Sequence, residues 1–390
     1  MNLFTLLKSR GYRLKAEEEA TDLDRLARFR KWIDSIGPSE QPTLYYKHAL
    51  LPHIPWIFLP TGQRYTRTVL GPIRGLSSSE ISVFDATLVR QAWQRHLLQA
   101  GAADHLVGEL IDRLEQTGLY RRAMVVVMAD HGVSFRLGAT DRRTIVPGNA
   151  RDIAPIPLFV KDPGQRRGRT SHGLVRTYDV LPTIAARIGL RLPRGLNGRV
   201  AFSAPVRRRG RITVLSRSGI GQVTMSRGRL LALKRQALRR QIALFGSGRR
   251  TLYDFGPNRP LRGRLVRRLS VTAGGPIQAR LNDPRDLLNV PPEASFLPVF
   301  LTGEITGGQT GSRRDVAVAI NGVVRGVTRS THLRGRAAEY FSVLIDPGTL
   351  AEGRNEVQVF TVSRSGGRYA LRRIYGQPYK PPAARKPTRE

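Results

Sequence analysis

Apolar and polar positions in the first half of the chain alternate between two periods. Strands are predicted where apolar residues run almost without interruption, and helices where they recur every three to four residues. Such alternation is typical of an α/β sheet covered by helices. The predicted strands are "TLYYKHALL", "AMVVVMA" and "IPLFVK", the second of them buried, and the predicted helices are "LFTLLKSRGY", stopped by Gly11, residues 89–119 and "DVLPTIAARIGL".

The pattern changes after about residue 200. Clusters of arginine then flank short stretches such as "ITVLSRSG" and "LLALKRQ", which we interpret as strands. Further on, strand-like alternation resumes on either side of Asn321-Gly322, the strongest short hairpin signal, and two more strands are predicted around a Pro-Gly turn near residue 347. The predicted segments are an α/β domain (1–200), a basic β-rich extension (201–268), a β-sandwich-like domain (269–378) and a disordered proline-rich tail (379–390).

Composition narrows the classes of protein to consider. The 390 residues, 40% of them hydrophobic, are enough to bury one large core or two medium ones. The net charge of +36 comes mostly from arginine spread along the chain, which fits either a genome-wide arginine bias or an anionic partner. Because the chain has no cysteine, disulfides, thiolate metal sites and thiol nucleophiles are excluded. We find no secretion signal and no apolar run near the roughly 20 residues of a membrane span.

The stretch "VVVMADHGVSF" places an acid and an imidazole where a predicted strand ends. In open α/β sheets, functional groups gather at the carboxyl ends of strands. The carboxylate of Asp130 and the imidazole of His131 together suit a divalent cation, and Gly132 lets the backbone turn close to such an ion. From these residues alone, a helix cap followed by a surface histidine is an equally good interpretation.

Several motifs in order favour the metal-site interpretation. "VVVMADHGVSF" resembles the metal-binding strand end of the sulfatases, members of the alkaline phosphatase superfamily. "HALLPHIPW" resembles the family's strand with its His-x-Pro element, and "LVGELIDRLEQTGLYRRAMVVV" resembles its long helix before the metal strand. "IPLFVKDPGQ" and "RTYDVLPTIAARIGL" resemble the next strand and the Asp-x-x-Pro-Thr helix. The resemblance covers about Thr5 to Arg199 and implies a sulfatase/alkaline-phosphatase-like sheet with flanking helices, N-terminally truncated. The β-rich C-terminal domain predicted from the alternation follows it.

The resemblance also implies roles for single residues. Asp130 and His131 would be ligands of a divalent metal (Ca²⁺, Mg²⁺ or Mn²⁺), which serves the family as Lewis acid and template. His53 would contact the sulfate or phosphate ester and assist the leaving group, whereas without the family a packed histidine is the better interpretation. His48 we interpret as structural. Asp179, at the start of a predicted helix, fits a helix cap and receives no chemical role.

The loop after the strand end offers positive charge for an anionic substrate. Arg136, Arg142 and Arg143 follow the Asp-His pair, and arginine forms paired hydrogen bonds with sulfate and phosphate oxygens. A solvated loop is at least as good an interpretation of these three residues.

Part of the family pattern has no counterpart in this chain. The family's nucleophile and first acidic metal ligands normally precede a segment that resembles Gly11-Tyr12, and only ten residues precede Gly11 here. Lys15 is a poor match for the family's ester-binding lysine. We therefore expect an N-terminally truncated domain that lacks its nucleophile segment. A late start assignment, a frameshift or gene decay would each produce this result. The two remaining ligands alone cannot hold a divalent cation tightly.

Three functions are compatible with these observations. The first is a metal-dependent hydrolase or transferase for sulfate or phosphate esters of a glycan or lipid, incomplete as this chain. The second is a basic module that binds anionic polysaccharide, lipid or nucleic acid, although no motif indicates sequence-specific nucleic-acid recognition. The third is an inactive remnant. The resemblance implies a membrane-anchored extracytoplasmic protein when full length, and the sequence leaves the ester, the metal and the oligomeric state open.

Overall fold

The protein forms two compact units, each built from two separate stretches of chain. The first unit comprises Met1–Leu51 and Ala103–Gln241, and the second comprises Pro52–Ala102 and Ile242–Glu390. Arg142 and most of the predicted tail, residues 380–390, lie outside the described residues. The computed structural model describes residues 3–18, 24–67, 85–138, 143–215, 222–248, 250–308, 311–332 and 338–379.

The first unit mixes helices with short strands, and the second is rich in strands. Within the described residues, none of the helices combines the length and apolar character needed to cross a bilayer. The helices are α1 (Leu3–Lys8), α2 (Arg25–Asp34), α3 (Ala86–Gln116), α4 (Ala150–Ile153), α5 (Val180–Arg187), α6 (Ala204–Arg208) and α7 (Arg227–Phe245). The strands are β1 (Arg13–Glu18), β2 (Thr43–His48), β3 (Val125–Met128), β4 (Leu158–Lys161), β5 (Arg211–Leu215), β6 (Gln222–Ser226), β7 (Ser270–Ala273), β8 (Gln278–Leu281), β9 (Phe300–Thr306), β10 (Asp315–Ile320), β11 (Val323–Arg329), β12 (Thr331–His332), β13 (Glu339–Leu344), β14 (Val357–Ser365) and β15 (Arg368–Tyr375).

In the described part of the first unit the strands pair two by two. β1 runs parallel to β2, whereas β3–β4 and β5–β6 are antiparallel pairs. One face of β3–β4 packs on α5, where Val126, Val160 and Ile184 line a gap with no room for a water molecule. On the opposite face Phe159 is 66% exposed. β3 is therefore half-buried, not buried as its apolar run predicted, because only one face of the pair is well covered.

Helices α2 and α3 pack together in the first unit. Trp32 and Ile33 of α2 share a buried cluster with Leu110 of α3. The guanidinium of Arg30 adds a two-pronged ion pair to Glu109, with donor to acceptor distances of 2.8 and 3.0 Å. The long amphipathic pattern of residues 89–119 thus forms the helix that it predicted, and the part of α3 from Ala103 onward belongs to this unit.

One prediction for residues 201–268 was wrong. "LLALKRQ" belongs to α7 and not to a strand. The stretch from Arg227 to Phe245 is rich in Leu, Ala, Arg, Lys and Gln, which are strong helix formers, and contains no proline. Leu233 of α7 is buried in one cluster with Ile212 and Met225 of the β5–β6 hairpin. "ITVLSRSG" does supply a strand, β5.

The side chain of Asp179 caps the short turn Thr177–Asp179 that leads into α5 and not, as predicted, the helix itself. Asp179 immediately precedes α5, but its carboxylate makes no capping hydrogen bond to that helix. The carboxylate instead accepts hydrogen bonds from Arg176, Arg199 and Arg209, which lie outside the helix. Hydrogen bonds from a guanidinium and two backbone N–H groups stabilise this carboxylate more than hydrogen bonds from the first turn of α5 would.

The strands of the second unit form two sheets around a common core. The five-stranded sheet has the order β11-β10-β14-β15-β7, and the four-stranded sheet has the order β12-β13-β9-β8. Val318 and Val359 from the first sheet and Leu301 and Phe341 from the second belong to one buried cluster. The chain therefore has the β-rich C-terminal region that the alternation predicted, with sandwich packing.

The hairpin predicted at Asn321-Gly322 is present. These two residues connect β10 to β11 with φ values of 49° and 74°, the left-handed backbone that a two-residue type I′ turn requires. The side chain of Asn321 also accepts a hydrogen bond from the N–H of Glu356 at 2.9 Å and donates one to Asn355 at 2.9 Å. The turn thus fixes the register of three neighbouring segments.

Candidate active site

Asp130 and His131 lie at the carboxyl end of β3, and both side chains reach solvent. Their side chains are 76% and 38% exposed, respectively. Asp130 Oδ1 accepts the backbone N–H of His131 at 2.8 Å, and His131 Nδ1 lies 2.8 Å from the carbonyl oxygen of Gly132. If Nδ1 carries the proton, Nε2 keeps its lone pair. Nε2 and Asp130 Oδ2 are 3.4 Å apart, so both atoms can reach one ion at bond lengths of about 2.0–2.2 Å.

The loop after β3 is held close to α4. Gly132 donates its N–H to the carbonyl of Ile153 at 3.1 Å, and a Cβ at Gly132 would lie 2.2 Å from the carbonyl oxygen of Asp152. Ser134 donates its hydroxyl to Asp152 Oδ2 at 3.1 Å, and Arg240 Nη1 lies 3.6 Å from the same oxygen. Asp152 thus anchors the loop that carries His131. Sequence reasoning missed it because "NARDIAP" is indistinguishable from an exposed helix start.

The described residues supply only part of a metal site. Asp130 and His131 offer one carboxylate and one imidazole, and the described ranges contain no group of three or more His, Asp or Glu residues placed to hold an ion. Divalent cations in proteins take four to eight donors. These two side chains alone therefore do not fit a tightly bound divalent cation.

His53 belongs to the second unit, on the segment between β2 and α3. The side chain is exposed, and its Nδ1 lies 2.8 Å from the carbonyl oxygen of Ile54. The backbone here is fixed by Gln99, which is fully buried. Gln99 Nε2 donates to the carbonyl of His53 at 2.7 Å, and Gln99 Oε1 accepts the N–H of Ile57 at 2.9 Å. One amide side chain therefore satisfies the backbone on both sides of the Ile54-Pro55 step.

We expect Gln99→Leu to lower the free energy of unfolding by about 2–4 kcal/mol. The substitution removes the acceptor of the buried N–H of Ile57, which costs about 1–3 kcal/mol, and the hydrogen bond to the carbonyl of His53, worth about 1 kcal/mol. Urea unfolding of both proteins measures the change. The same substitution at Gln116, exposed at the end of α3, serves as control and should change stability by less than about 0.5 kcal/mol. Equal losses in the two variants would contradict the role of Gln99.

Of the predicted site residues, the structure brings Asp130 and His131 into contact. Arg136 is exposed further along the same loop, with its guanidinium close to Gly148. His53 is part of the other unit. The ester-binding roles of Arg136 and His53 therefore stay predictions.

An α/β unit with a carboxylate and an imidazole at the end of an apolar strand is the arrangement predicted for hydrolases of the alkaline phosphatase superfamily. Residues 1–190 match the family model described as Sulfatase, so this segment belongs to the sulfatase family. The resemblance inferred from the motifs between Thr5 and Arg199 is thereby confirmed.

Individual relatives match over limited lengths. The chain is 25% identical over 170 residues to an ulvan-active sulfatase of Formosa agariphila, which covers 43% of this chain and 32% of that protein. It is 29% identical over 155 residues to the human N-acetylglucosamine-6-sulfatase, covering 34% of this chain and 26% of that protein. The chain thus spans about a third or less of these curated relatives. A phosphonate monoester hydrolase from Silicibacter pomeroyi aligns with 62% of this chain and 68% of its own at 15% identity and a TM-score of 0.36.

Proposed function

We propose that the protein is a hydrolase of sulfate esters carried by glycans, and that Asp130 and His131 are two ligands of a divalent metal. The observation that carries the proposal is the sulfatase match of residues 1–190, which contains this pair at an exposed strand end. Two relatives are an ulvan-active sulfatase and an N-acetylglucosamine-6-sulfatase, which supports a saccharide as the carrier. Phosphate esters are the second substrate class, and transfer to a glycan or lipid is the alternative to hydrolysis.

The chemistry of the pair agrees with this role. An exposed carboxylate with its oxygen 3.4 Å from an imidazole nitrogen can bind a cation beside an anionic ester. Such an ion would neutralise the ester oxygens. The proposal requires further ligands and a nucleophile that the described residues do not supply.

Activity is tested on the protein purified from its own cells. We expect release of 4-nitrophenol from 4-nitrophenyl sulfate, faster than from 4-nitrophenyl phosphate, and loss of this activity when EDTA removes divalent metal. Recovery from membrane or soluble fractions tests the extracytoplasmic, membrane-anchored location that the resemblance implies. Failure to hydrolyse either ester with metal present would refute the hydrolase, and salt-sensitive heparin binding without turnover would favour the basic binding module.

Metal binding is tested on the chain itself, with Mn²⁺ as the probe and electron paramagnetic resonance as the readout. With two ligands, we expect a dissociation constant near the weak end of protein sites, about 1 mM. Asp130→Ala should abolish this binding. Asp112→Ala removes another exposed acid, on α3, and should leave Mn²⁺ binding unchanged. Equal Mn²⁺ binding by the two variants would contradict the assignment of Asp130.

A further inference from the structure

A basic cavity lies in the first unit, away from any role assigned above. Its volume of about 570 Å³ falls within the range of small-molecule sites, roughly 300–1,000 Å³. Arginine supplies four of the six lining residues, and none of the six is acidic. The cavity is lined by Arg176, Asn197, Arg199, Pro205, Arg208 and Arg209.

A single buried carboxylate fixes three of these arginines. Asp179 is fully buried. Its Oδ2 accepts the backbone N–H of Arg176 at 2.8 Å, and its Oδ1 accepts the backbone N–H of Arg199 at 2.9 Å. Its Oδ2 also accepts Nη1 of Arg209 at 2.6 Å. The basic wall of the cavity is therefore specified by the fold, since a buried acid and its hydrogen bonds hold the arginines in place.

Most of the positive charge of the cavity has no counter-charge. Asp179 pairs with the guanidinium of Arg209 only. Within the described part of the chain, the exposed guanidinium groups of Arg199 and Arg208 make no hydrogen bond or ion pair. The guanidinium of Arg176 donates to the hydroxyl of Tyr178 and lies over its ring, and its buried Nε has no acceptor among the described residues. Gathering guanidinium groups in this way is unfavourable unless an anion binds them, because like charges repel and an unpaired buried donor costs free energy.

We propose that this cavity binds a tetrahedral oxyanion, the sulfate or phosphate group of a larger ligand. Guanidinium groups bind such oxygens through paired hydrogen bonds, and among the residues that the structure describes three of the four have no acidic partner. Because the cavity is open to solvent, the sugar that carries the anion can extend beyond it. The ligand we assign is a sulfated oligosaccharide. The choice of sulfate over phosphate rests on the proposed function, whereas the oxyanion site itself does not.

The test is isothermal titration calorimetry of the full chain with a heparin-derived sulfated tetrasaccharide, inorganic sulfate and inorganic phosphate. The double variant Arg199→Ala/Arg208→Ala removes two exposed lining guanidiniums without touching the bonds to Asp179. The matched control, Arg191→Ala/Arg194→Ala, removes the same charge from exposed positions that do not line the cavity. We expect tetrasaccharide binding to weaken at least about tenfold in the first variant and less than about twofold in the control.

Each result decides one question. Equal weakening in both variants would show unspecific charge attraction and overturn the site, as would unchanged binding in the Arg199/Arg208 variant. Tighter binding of inorganic phosphate than of the tetrasaccharide would keep the oxyanion site and overturn its assignment to a sulfated sugar. Because binding is measured without turnover, failure to hydrolyse an aryl sulfate would count against the proposed function alone. Thermal unfolding of both variants at the wild-type temperature confirms that each is folded.

Discussion

Asp179→Ala should lower the free energy of unfolding by about 3–5 kcal/mol at pH 7. Removing one partner of a buried ion pair leaves the other charge uncompensated, and the Arg209 side chain is only 12% exposed. The substitution also removes the acceptor for the backbone N–H groups of Arg176 and Arg199. Urea unfolding followed by circular dichroism measures the loss.

The size of this effect should depend on pH. Desolvation acts to raise the pKa of the Asp179 carboxyl, but hydrogen bonds from Arg209 and from the N–H groups of Arg176 and Arg199 hold that pKa below its ordinary value. A carboxyl with a lowered folded-state pKa stabilises the protein above its unfolded-state pKa of about 3.9. That stabilisation is lost as the pH falls from there through the folded-state pKa. The difference between wild type and variant should therefore be full at pH 7 and shrink below about pH 4.

Asp104→Ala provides the control, because Asp104 is an exposed acid on α3 in the same unit. We expect it to change stability by less than about 0.5 kcal/mol. If Asp179→Ala were no more destabilising than Asp104→Ala, Asp179 would not be the anchor of this region.

Gly132→Ala should destabilise the protein by about 1–3 kcal/mol and weaken Mn²⁺ binding at Asp130. The added Cβ would lie 2.2 Å from the carbonyl oxygen of Asp152 and 2.9 Å from the Cα of Ile153, so backbone must move. That movement would also break the hydrogen bond from Gly132 N–H to Ile153 and displace the loop that carries His131. Thermal unfolding and electron paramagnetic resonance report the two effects.

The matched control is Gly108→Ala within α3. A Cβ there would meet no atom within 4 Å, and alanine is favoured over glycine in helices by about 0.5–1 kcal/mol. The control should therefore be slightly more stable than the wild type. A Gly132→Ala protein as stable as the wild type, with unchanged Mn²⁺ binding, would refute the close approach of α4 to this loop.

Local sequence patterns correctly predicted a long helix, a hairpin and a strand end, because each of these depends mainly on neighbouring residues. The helix of residues 89–119 formed because its periodicity persists over many turns, and the hairpin formed because Asn321 and Gly322 both accept a left-handed backbone. The strand end at Asp130 was found because an apolar run stops abruptly there. The strand predicted for "LLALKRQ" was wrong because seven residues are too few to distinguish a strand from a helix by their pattern.

Features that depend on distant partners could not be predicted in this way. Asp152 and Asp179 each read as an acid near a helix start, and what distinguishes them is a partner far along the chain, Arg240 in one case and Arg209 in the other. The half-burial of β3 likewise depends on which faces α5 covers. The pattern of residues along the chain does not show which distant residues contact one another.

The interleaved course of the chain has a consequence for synthesis on the ribosome. The segment Pro52–Ala102 joins the second unit, whose remaining residues begin only at Ile242. At roughly 5–20 residues per second, this segment waits about 7–28 s before the rest of its unit begins to emerge. Meanwhile Leu59, which becomes buried, can contact only the part of its core cluster that lies in the same segment, Tyr65 and Leu98. The nascent chain therefore exposes apolar surface during this interval, and slower translation across residues 103–241 would lengthen the time in which it is prone to aggregate.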